Sequence, residues 1–237
     1  MRGDAGAGAG AGAGAEVEVG FGVGFGAVPV RDAAGGLRER KKRRTHRAIS
    51  DAAVALFLER GFDRVSVAEV AAAAEVSKPT LFRYFATKED LALHRFADHE
   101  GEPARVVADR RPELSPLDAL RRHFLDGLER CDPVTGLSEA PEVLAYLRLL
   151  YGTPSLVARL HAYQGRSEAV LAESLGGGIG GRLAAGQIVA VLRILAEENW
   201  RRIAAGEGVR QVRPGAERAA RLAFDQLRDG LGGLSVR

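Results

Sequence analysis

The 237-residue sequence predicts an all-α protein, with a three-helix domain near the N-terminus and a larger helical domain after it. Two observations predict this fold class. No segment alternates apolar and polar residues in the manner of a β-strand, whereas apolar residues recur at helical spacing in almost every stretch after residue 45. The first such stretch ends at Gly61, a typical position for glycine after a helix. It places one apolar face on Ile49, Ala52, Ala53, Leu56 and Phe57.

Hydroxyl residues mark where the next helices begin. Ser66 stands three residues before Glu69, which is the spacing of a capping box, and Thr87 with Asp90 repeats it. Ser77 is a favourable N-cap for a helix between them. The sequence therefore predicts two short helices joined by a tight turn, followed by a fourth helix.

Two short helices joined in this way form a helix-turn-helix, whose second helix can enter the major groove of DNA, about 12 Å wide. The start of that helix has side chains that let the backbone approach DNA: Ser77, Lys78, Pro79 and Thr80. Tyr84 lies four residues after Thr80 on the same predicted face, and its hydroxyl can reach a phosphate. The N–H groups near Thr87 and Lys88 form an anion site.

Charge is distributed unevenly along the chain, although the net charge is only +3. The stretch "RERKKRRTHR" at 38–47 has seven Lys or Arg against one Glu, and its Arg44 and Arg47 are candidates for phosphate contacts. Residues 1–37 contain "AGAGAGAGAGA", which offers few side chains to bury, so we expect a disordered arm. A silk-like sheet is the alternative for that tract.

Several classes of protein and site are disfavoured. Cys131 is the only cysteine, so no internal disulfide can form. No apolar run approaches the roughly 18 residues of a membrane helix, and no secretory signal is evident, so we expect a cytoplasmic protein without a membrane partner. The histidines lack metal-ligand spacing, and "SLGGGIGG" lacks the Gly-Lys-Ser/Thr of a phosphate loop. We therefore expect no metal, no cofactor and no enzymatic activity.

The segment "RAISDAAVALFLERGFDRVSVAEVAAAAEVSKPTLFRYFATKEDL" resembles the N-terminal DNA-binding domain of the TetR family of bacterial repressors. The resemblance covers about 45 residues and is carried by "ALFLERGF", "SVAEVA", "VSKPTLFRYF" and "TKEDL". It implies a homodimer in which a helical domain binds a small molecule that usually releases the protein from DNA.

The resemblance also implies site residues. The start of the recognition helix falls on Ser77, Lys78, Pro79 and Thr80, and further DNA contacts fall on Ser66, Phe82, Tyr84 and Lys88. Phe82 stands where the family often has Tyr, so it offers only apolar contact. Glu75 replaces the usual turn glycine; a left-handed Glu75 would cost roughly 1–2 kcal/mol, and we expect the turn to adjust instead. Ala68 offers no base contact where some members have Arg.

The sequence predicts three regions: the arm at 1–37, a helix-turn-helix DNA-binding domain at 38–97, and a helical regulatory and dimerisation domain at 98–237. By the resemblance, the last two helices, at 182–206 and 214–230, form a four-helix bundle with a partner subunit. Small and apolar residues there would allow close packing: Ala184, Ala185, Ile188, Ala190 and Leu192. A helix docked only on its own domain would show the same pattern.

A ligand pocket is expected between the middle helices, because pockets are mostly apolar with a few polar groups. The candidate lining residues are Phe124, Leu128, Tyr146, Leu150, His161, Tyr163 and Trp200, each of which could instead belong to the core. The resulting hypothesis is a homodimeric repressor that binds a pseudo-palindromic double-stranded operator and is released by a small apolar or aromatic effector. Two alternatives are a helical ligand-binding protein and a DNA-coating protein without sequence preference.

Overall fold

The computed structural model describes residues 36–230, and within them the chain forms ten α-helices, one short 3-10 turn and no strand. The all-α prediction is confirmed. Almost all of the predicted arm at 1–37 lies outside the described residues. In chain order the helices are α1 Leu37–Arg60, α2 Val67–Ala73, α3 Lys78–Tyr84, α4 Lys88–His99, α5 Glu102–Ala108, α6 Pro116–Glu129, α7 Pro141–Gly152, α8 Pro154–Ser174, α9 Gly178–Ala204 and α10 Val209–Asp229.

The first helix is longer than the apolar pattern predicts. The basic run at 38–47 forms the first turns of α1, whereas the periodicity starts only at Thr45. The later turns bury Ile49, Ala53 and Phe57 against Leu81 of α3. The basic part of α1 therefore projects from the domain as a helical extension rather than as a separate segment.

The predicted caps are present. Ser66 and Glu69 form a reciprocal capping box at the start of α2, and Thr87 and Asp90 form another at the start of α4. The Ser77 side chain accepts a hydrogen bond from the Thr80 N–H at the start of α3, over 3.2 Å. Each cap satisfies a backbone N–H that the helix cannot satisfy itself.

The expectation that the turn adjusts around Glu75 is wrong. Glu75 has φ +53°, which is left-handed. Its N–H donates to Ala72 O, and the Val76 N–H donates to Ala71 O. These two bonds are the Schellman ending of a helix, which requires a left-handed residue at this position whatever its side chain.

The second domain packs its long helices against one another. The most extensive contacts join α8 with α9, α10 with α6, and α10 with α9. The core of α1–α4 also continues into α7 and α8, through Tyr146, Leu150 and Leu160. The helix-turn-helix and the larger domain therefore share buried side chains.

No uninterrupted apolar run of about 18 residues is present in α9, because Arg182 and Arg193 interrupt it. By length and composition alone α9 nevertheless qualifies as a candidate membrane span, with a mean hydropathy of 1.5 in an 18-residue window. One face of α9 packs on α8 and α10 and buries Ala185 and Ile188. Those two residues were expected at a subunit interface, and the structure places them in the core of their own domain instead.

Candidate nucleic-acid interface and ligand pocket

The second helix of the helix-turn-helix, α3, exposes one face to solvent and buries the other. Leu81 is fully buried and Phe85, which follows the helix, is nearly so, as their spacing predicts. The Phe82 ring is 47% exposed. Lys78, Pro79 and Arg83 are also exposed. An apolar ring and two cations thus share the surface that a DNA groove would meet.

The predicted hydroxyl contacts at the start of α3 are engaged with each other. The hydroxyl oxygens of Ser77 and Thr80 lie 2.8 Å apart, and Ser77 also caps the helix. Thr80 is half-buried, not fully exposed as its place in the pattern suggests. Because one hydroxyl donates to the other, one proton of the pair remains for a base or phosphate.

Tyr84 is half-buried beside His46 of α1. The centroid of the His46 ring lies 5.9 Å from that of Tyr84, and the Arg83 guanidinium lies 5.6 Å from the Tyr84 ring. His46 stacks on Phe85 with centroids 4.2 Å apart. The Tyr84 ring is therefore held by packing, which is favourable for aiming its hydroxyl.

Lys88 has internal partners that the sequence did not indicate. Its ammonium donates to the Phe62 carbonyl and lies 4.3 Å from the Phe62 ring centroid and 5.6 Å from that of Phe57. An ammonium retains further N–H donors when one is used. Lys88 thus ties the start of α4 to the end of α1 while it stands at the predicted phosphate position.

Ser66 is also occupied locally. Its N–H and its hydroxyl both donate to the Glu69 carboxylate over 2.8 Å, and Arg60 pairs with the same carboxylate at 2.7 Å. Hydrogen bonds from the Ser66 backbone and side chain, followed by that of Arg60, lower the pKa of Glu69 to about 2. Glu69 therefore stays ionised and keeps Ser66 in its capping geometry.

Exposed cations extend the same surface along α1. Of the predicted contacts Arg44 and Arg47 are exposed there, and so are Arg40, Lys41 and Lys42. Sequence reasoning missed Arg83, which follows Phe82 on the recognition helix. The sequence could have indicated Arg83, because it is a basic residue in the last turn of the helix predicted to contact DNA.

A cavity of about 190 Å³ lies in the second domain, next to α4. Its wall is formed by α4, α5, α6, α7, α8, α9 and the 3-10 turn, Pro133–Thr135. Of the seven predicted lining residues, only Phe124 and Tyr163 belong to this wall. Sequence reasoning missed Phe96, Tyr151 and Leu192.

The other five predicted lining residues lie elsewhere. Leu128, Tyr146 and Leu150 are buried in the core, because their helices turn those positions away from the cavity. His161 is exposed and hydrogen-bonds Gln164 at 2.9 Å. Trp200 packs on Tyr151, with ring centroids 4.6 Å apart, and so stands one layer behind the wall.

One end of the cavity is polar. The Glu102 carboxylate lies between two histidines, 2.6 Å from His99 Nδ1 and 3.0 Å from His123 Nε2. Burial alone raises the pKa of Glu102, but the hydrogen bonds from His123 and His99 outweigh it and lower the pKa to about 2. No group of His, Cys, Asp and Glu suited to a metal ion is found in the part of the chain that the structure describes.

A second buried carboxylate joins the cavity to the helix-turn-helix. Arg159 Nε and Nη2 donate to the two oxygens of Asp90 over 2.7 and 3.0 Å, and the Tyr163 hydroxyl donates to Asp90 Oδ1 over 3.0 Å. Asp90 also caps α4 through Thr87. Tyr163 thus lines the cavity with its ring and holds the first turn of α4 with its hydroxyl.

Comparison with known proteins agrees with this arrangement. The family model described as "Bacterial regulatory proteins, tetR family" matches residues 49–94. The HTH-type transcriptional regulator TcmR of Streptomyces glaucescens is 35% identical over 135 residues, which is 56% of this chain and 58% of that protein. The chain therefore spans less than two thirds of that relative's length.

Two solved structures have the same fold. A TetR-family regulator from Streptomyces coelicolor A3 is 25% identical, with a TM-score of 0.52 over 81% of this chain and 99% of that one. Native NalD, the secondary repressor of the MexAB-OprM multidrug efflux pump in Pseudomonas aeruginosa, is 20% identical, with a TM-score of 0.51 over 77% and 96% of the two chains.

Proposed function

Because the chain belongs to the TetR family of bacterial regulatory proteins, we propose that it is a cytoplasmic, homodimeric transcriptional repressor. It binds a pseudo-palindromic operator through two copies of α3 and leaves the operator when a small molecule fills the cavity. NalD, which shares the fold, is a repressor by its description. Both named regulators among the relatives support regulation rather than catalysis.

The exposed face of α3 supports reading of DNA sequence. Phe82 offers apolar contact to a thymine methyl group, and Lys78 and Arg83 offer donors to bases or phosphates. Thr80 supplies a hydroxyl near the start of the helix. The helical extension with Arg44 and Arg47 adds contacts to phosphate, which give affinity without sequence information.

The outer faces of α9 and α10 support a dimer. Ile179, Leu183 and Ile194 fall on one stripe of α9 and are 71%, 58% and 54% exposed, and Leu222 on α10 is 62% exposed. Large apolar side chains exposed together on neighbouring helices are a feature of interaction sites. A partner's α9 and α10 would cover it, and the two copies of α3 would then face two half-sites.

The observation that carries the proposal is the position of Tyr163. Its ring lines the cavity, and its hydroxyl donates a hydrogen bond to Asp90. Asp90 caps α4 and lies two residues after Lys88, in the first turn of that helix. A ligand that displaces Tyr163 therefore acts on the helix that follows α3. Such a ligand releases DNA only if it binds the displaced arrangement more tightly than the original one.

Selection of duplexes from a random library by the purified full chain, at two salt concentrations, tests this proposal. Enrichment of an inverted repeat is the expected result. Retention of duplexes without enrichment would instead assign binding to the basic extension alone, and no retention at low salt would refute DNA binding altogether. The enriched duplex then serves to test variants: Thr80→Ala should lose discrimination at particular base pairs, by about 1–3 kcal/mol.

A further inference from the structure

The cavity has walls that attract positive charge. Four aromatic side chains line it: Phe96, Phe124, Tyr151 and Tyr163. The face of an aromatic ring is electronegative and attracts a cation within about 6 Å of its centroid. The Tyr163 ring already contacts a cationic group, because the Arg166 guanidinium lies 4.1 Å from its ring centroid.

Apart from His99 and His123, the ionisable side chains of the wall have an excess of negative charge. Glu100, Glu102 and Asp132 supply carboxylates, and Arg193 supplies the guanidinium. Two of these four are neutralised by neighbours behind the wall. Glu100 pairs with Arg166, and Arg193 pairs with Glu197.

Glu102 is a largely buried carboxylate whose partners are histidines rather than Lys or Arg. Its side chain is 13% exposed, and its partners are His99 and His123. Within residues 36–230, no Lys or Arg forms an ion pair with it. Each imidazole contacts one carboxylate oxygen, and each oxygen keeps a further lone pair for another donor. In this largely desolvated site a cation that reaches those lone pairs gains more than it would in water.

We propose that the cavity binds organic cations with an aromatic body, and that the cationic group pairs with Glu102 while the body packs between the aromatic walls. Calling this ligand the effector rests on the proposed function, whereas the binding itself does not depend on it. The size is consistent: an engineered cavity of about 150 Å³ binds benzene, and this one measures about 190 Å³. One ring or two fused rings are therefore the expected body.

Isosteric probes of different charge test the proposal. Benzamidine, benzamide and benzoate share one shape but carry positive, zero and negative charge, and the three 2-naphthyl counterparts repeat the series with a larger body. Titration calorimetry of the full chain without DNA should rank each series cation, then neutral, then anion. We expect at least tenfold between amidine and amide. Equal binding of amidine and amide, tighter binding of the carboxylate, or no binding by any of the six would overturn the proposal.

The E102Q variant assigns the preference to Glu102. It removes the charge and keeps the size, so it should reduce the preference for amidine over amide to less than threefold. The matched control is Glu129→Gln, an exposed carboxylate at the end of α6 that does not line the cavity, and it should retain the full preference. An unchanged preference in E102Q would overturn the assignment. If E102Q fails to fold, the ranking of the wild-type series alone still decides the ligand class.

Operator release separates this inference from the proposed function. If the amidine binds with the expected preference but leaves the selected duplex bound, the ligand class stands and the effector role fails. If the wild-type chain binds DNA and the charge series shows no preference, the repressor proposal stands and the ligand class fails.

Discussion

The helix caps of the helix-turn-helix and the carboxylates beside the cavity differ in how far along the chain their hydrogen-bond partners reach. In the helix-turn-helix, Ser66 with Glu69 and Ser77 with Thr80 are three residues apart. Around the cavity, Glu102 and His123 are 21 residues apart, and Asp90 and Tyr163 are 73 apart. Local bonds set the shape of one helix, whereas distant bonds decide how helices sit against each other.

Asp90 has both local and distant hydrogen-bond partners, so it connects the helix-turn-helix to the helices around the cavity. It caps α4 locally and receives Arg159 and Tyr163 from α8. Asp118 is its exposed counterpart: its carboxylate accepts a hydrogen bond from the Ser115 hydroxyl at the start of α6 and pairs with the exposed Arg228 of α10. Substitutions at these two aspartates therefore separate an exposed ion pair from a largely buried one that joins α4 to α8.

The largest effect is expected for Asp90→Asn. Removing the charge leaves the Arg159 guanidinium without its counter-ion near a buried site, and loss of one partner of such a pair costs about 2–4 kcal/mol of unfolding free energy after allowance for the partial exposure of Arg159. Urea denaturation measures it. Asp118→Asn should cost no more than about 1 kcal/mol, because its pair is exposed. Equal losses in the two variants would show that the link to α8 contributes nothing.

The contribution of Asp90 to the free energy of unfolding should depend on pH. Burial raises the pKa of Asp90, but hydrogen bonds from Arg159, Thr87 and Tyr163 outweigh it and lower the pKa below its usual value. A lowered folded-state pKa stabilises the protein above the unfolded pKa, about 3.9, and that stability is lost as the pH falls further. The stability difference between wild type and Asp90→Asn should therefore shrink below about pH 4. A difference that stays constant to pH 3 would contradict this origin.

A smaller effect is expected for Tyr163→Phe, which removes one hydrogen bond to Asp90 and keeps the ring in the cavity wall. We expect a loss of about 1–2 kcal/mol in unfolding free energy and a changed affinity for the selected duplex. Tyr151→Phe is the matched control, because Tyr151 lines the same cavity and does not contact Asp90. Duplex affinity that responds equally to both substitutions would refute coupling through Asp90.

Ser77→Ala should cost about 1 kcal/mol, as loss of an N-cap usually does. Ser115→Ala removes the equivalent cap of α6 and should cost a similar amount. Only Ser77→Ala should also weaken binding to the selected duplex, because α3 is the proposed reading helix. Thermal unfolding and duplex titration of both variants provide the measurement, and equal duplex affinity for the two would argue against that role of α3.

The smallest effect is expected for Glu75→Gly, and it has the opposite sign. Glycine adopts the left-handed conformation without strain but loses more backbone entropy on folding, so the net gain in stability should be about 0.5–1 kcal/mol. Gly206 occupies the same position in the ending of α9, with φ +98°, so Gly206→Ala should destabilise. Urea denaturation of both variants checks the two signs, and a destabilised Glu75→Gly would show that the Glu75 side chain contributes favourably.

The local signals identified α2, α3 and the start of α4 almost to the residue. Capping pairs and turn residues act over three or four positions, so they can be recognised in the sequence. The residues that line the cavity cannot be recognised in this way. Of the residues predicted to line a ligand pocket, Phe124 and Tyr163 belong to the wall of this cavity, whereas Leu128 and Leu150 have the same apolar character and face the core. Which apolar residue faces a cavity depends on the packing of five or more helices.

Short-range patterns were enough to predict that this protein is all-α, that it has a capped helix-turn-helix preceded by a basic run, and that this region resembles the TetR family. Three contacts became apparent only in the folded chain: Lys88 binds the Phe62 carbonyl just after α1, Tyr163 joins the cavity to Asp90, and Glu102 lies between two histidines. Those contacts join residues that are distant in the chain, and no local spacing specifies them.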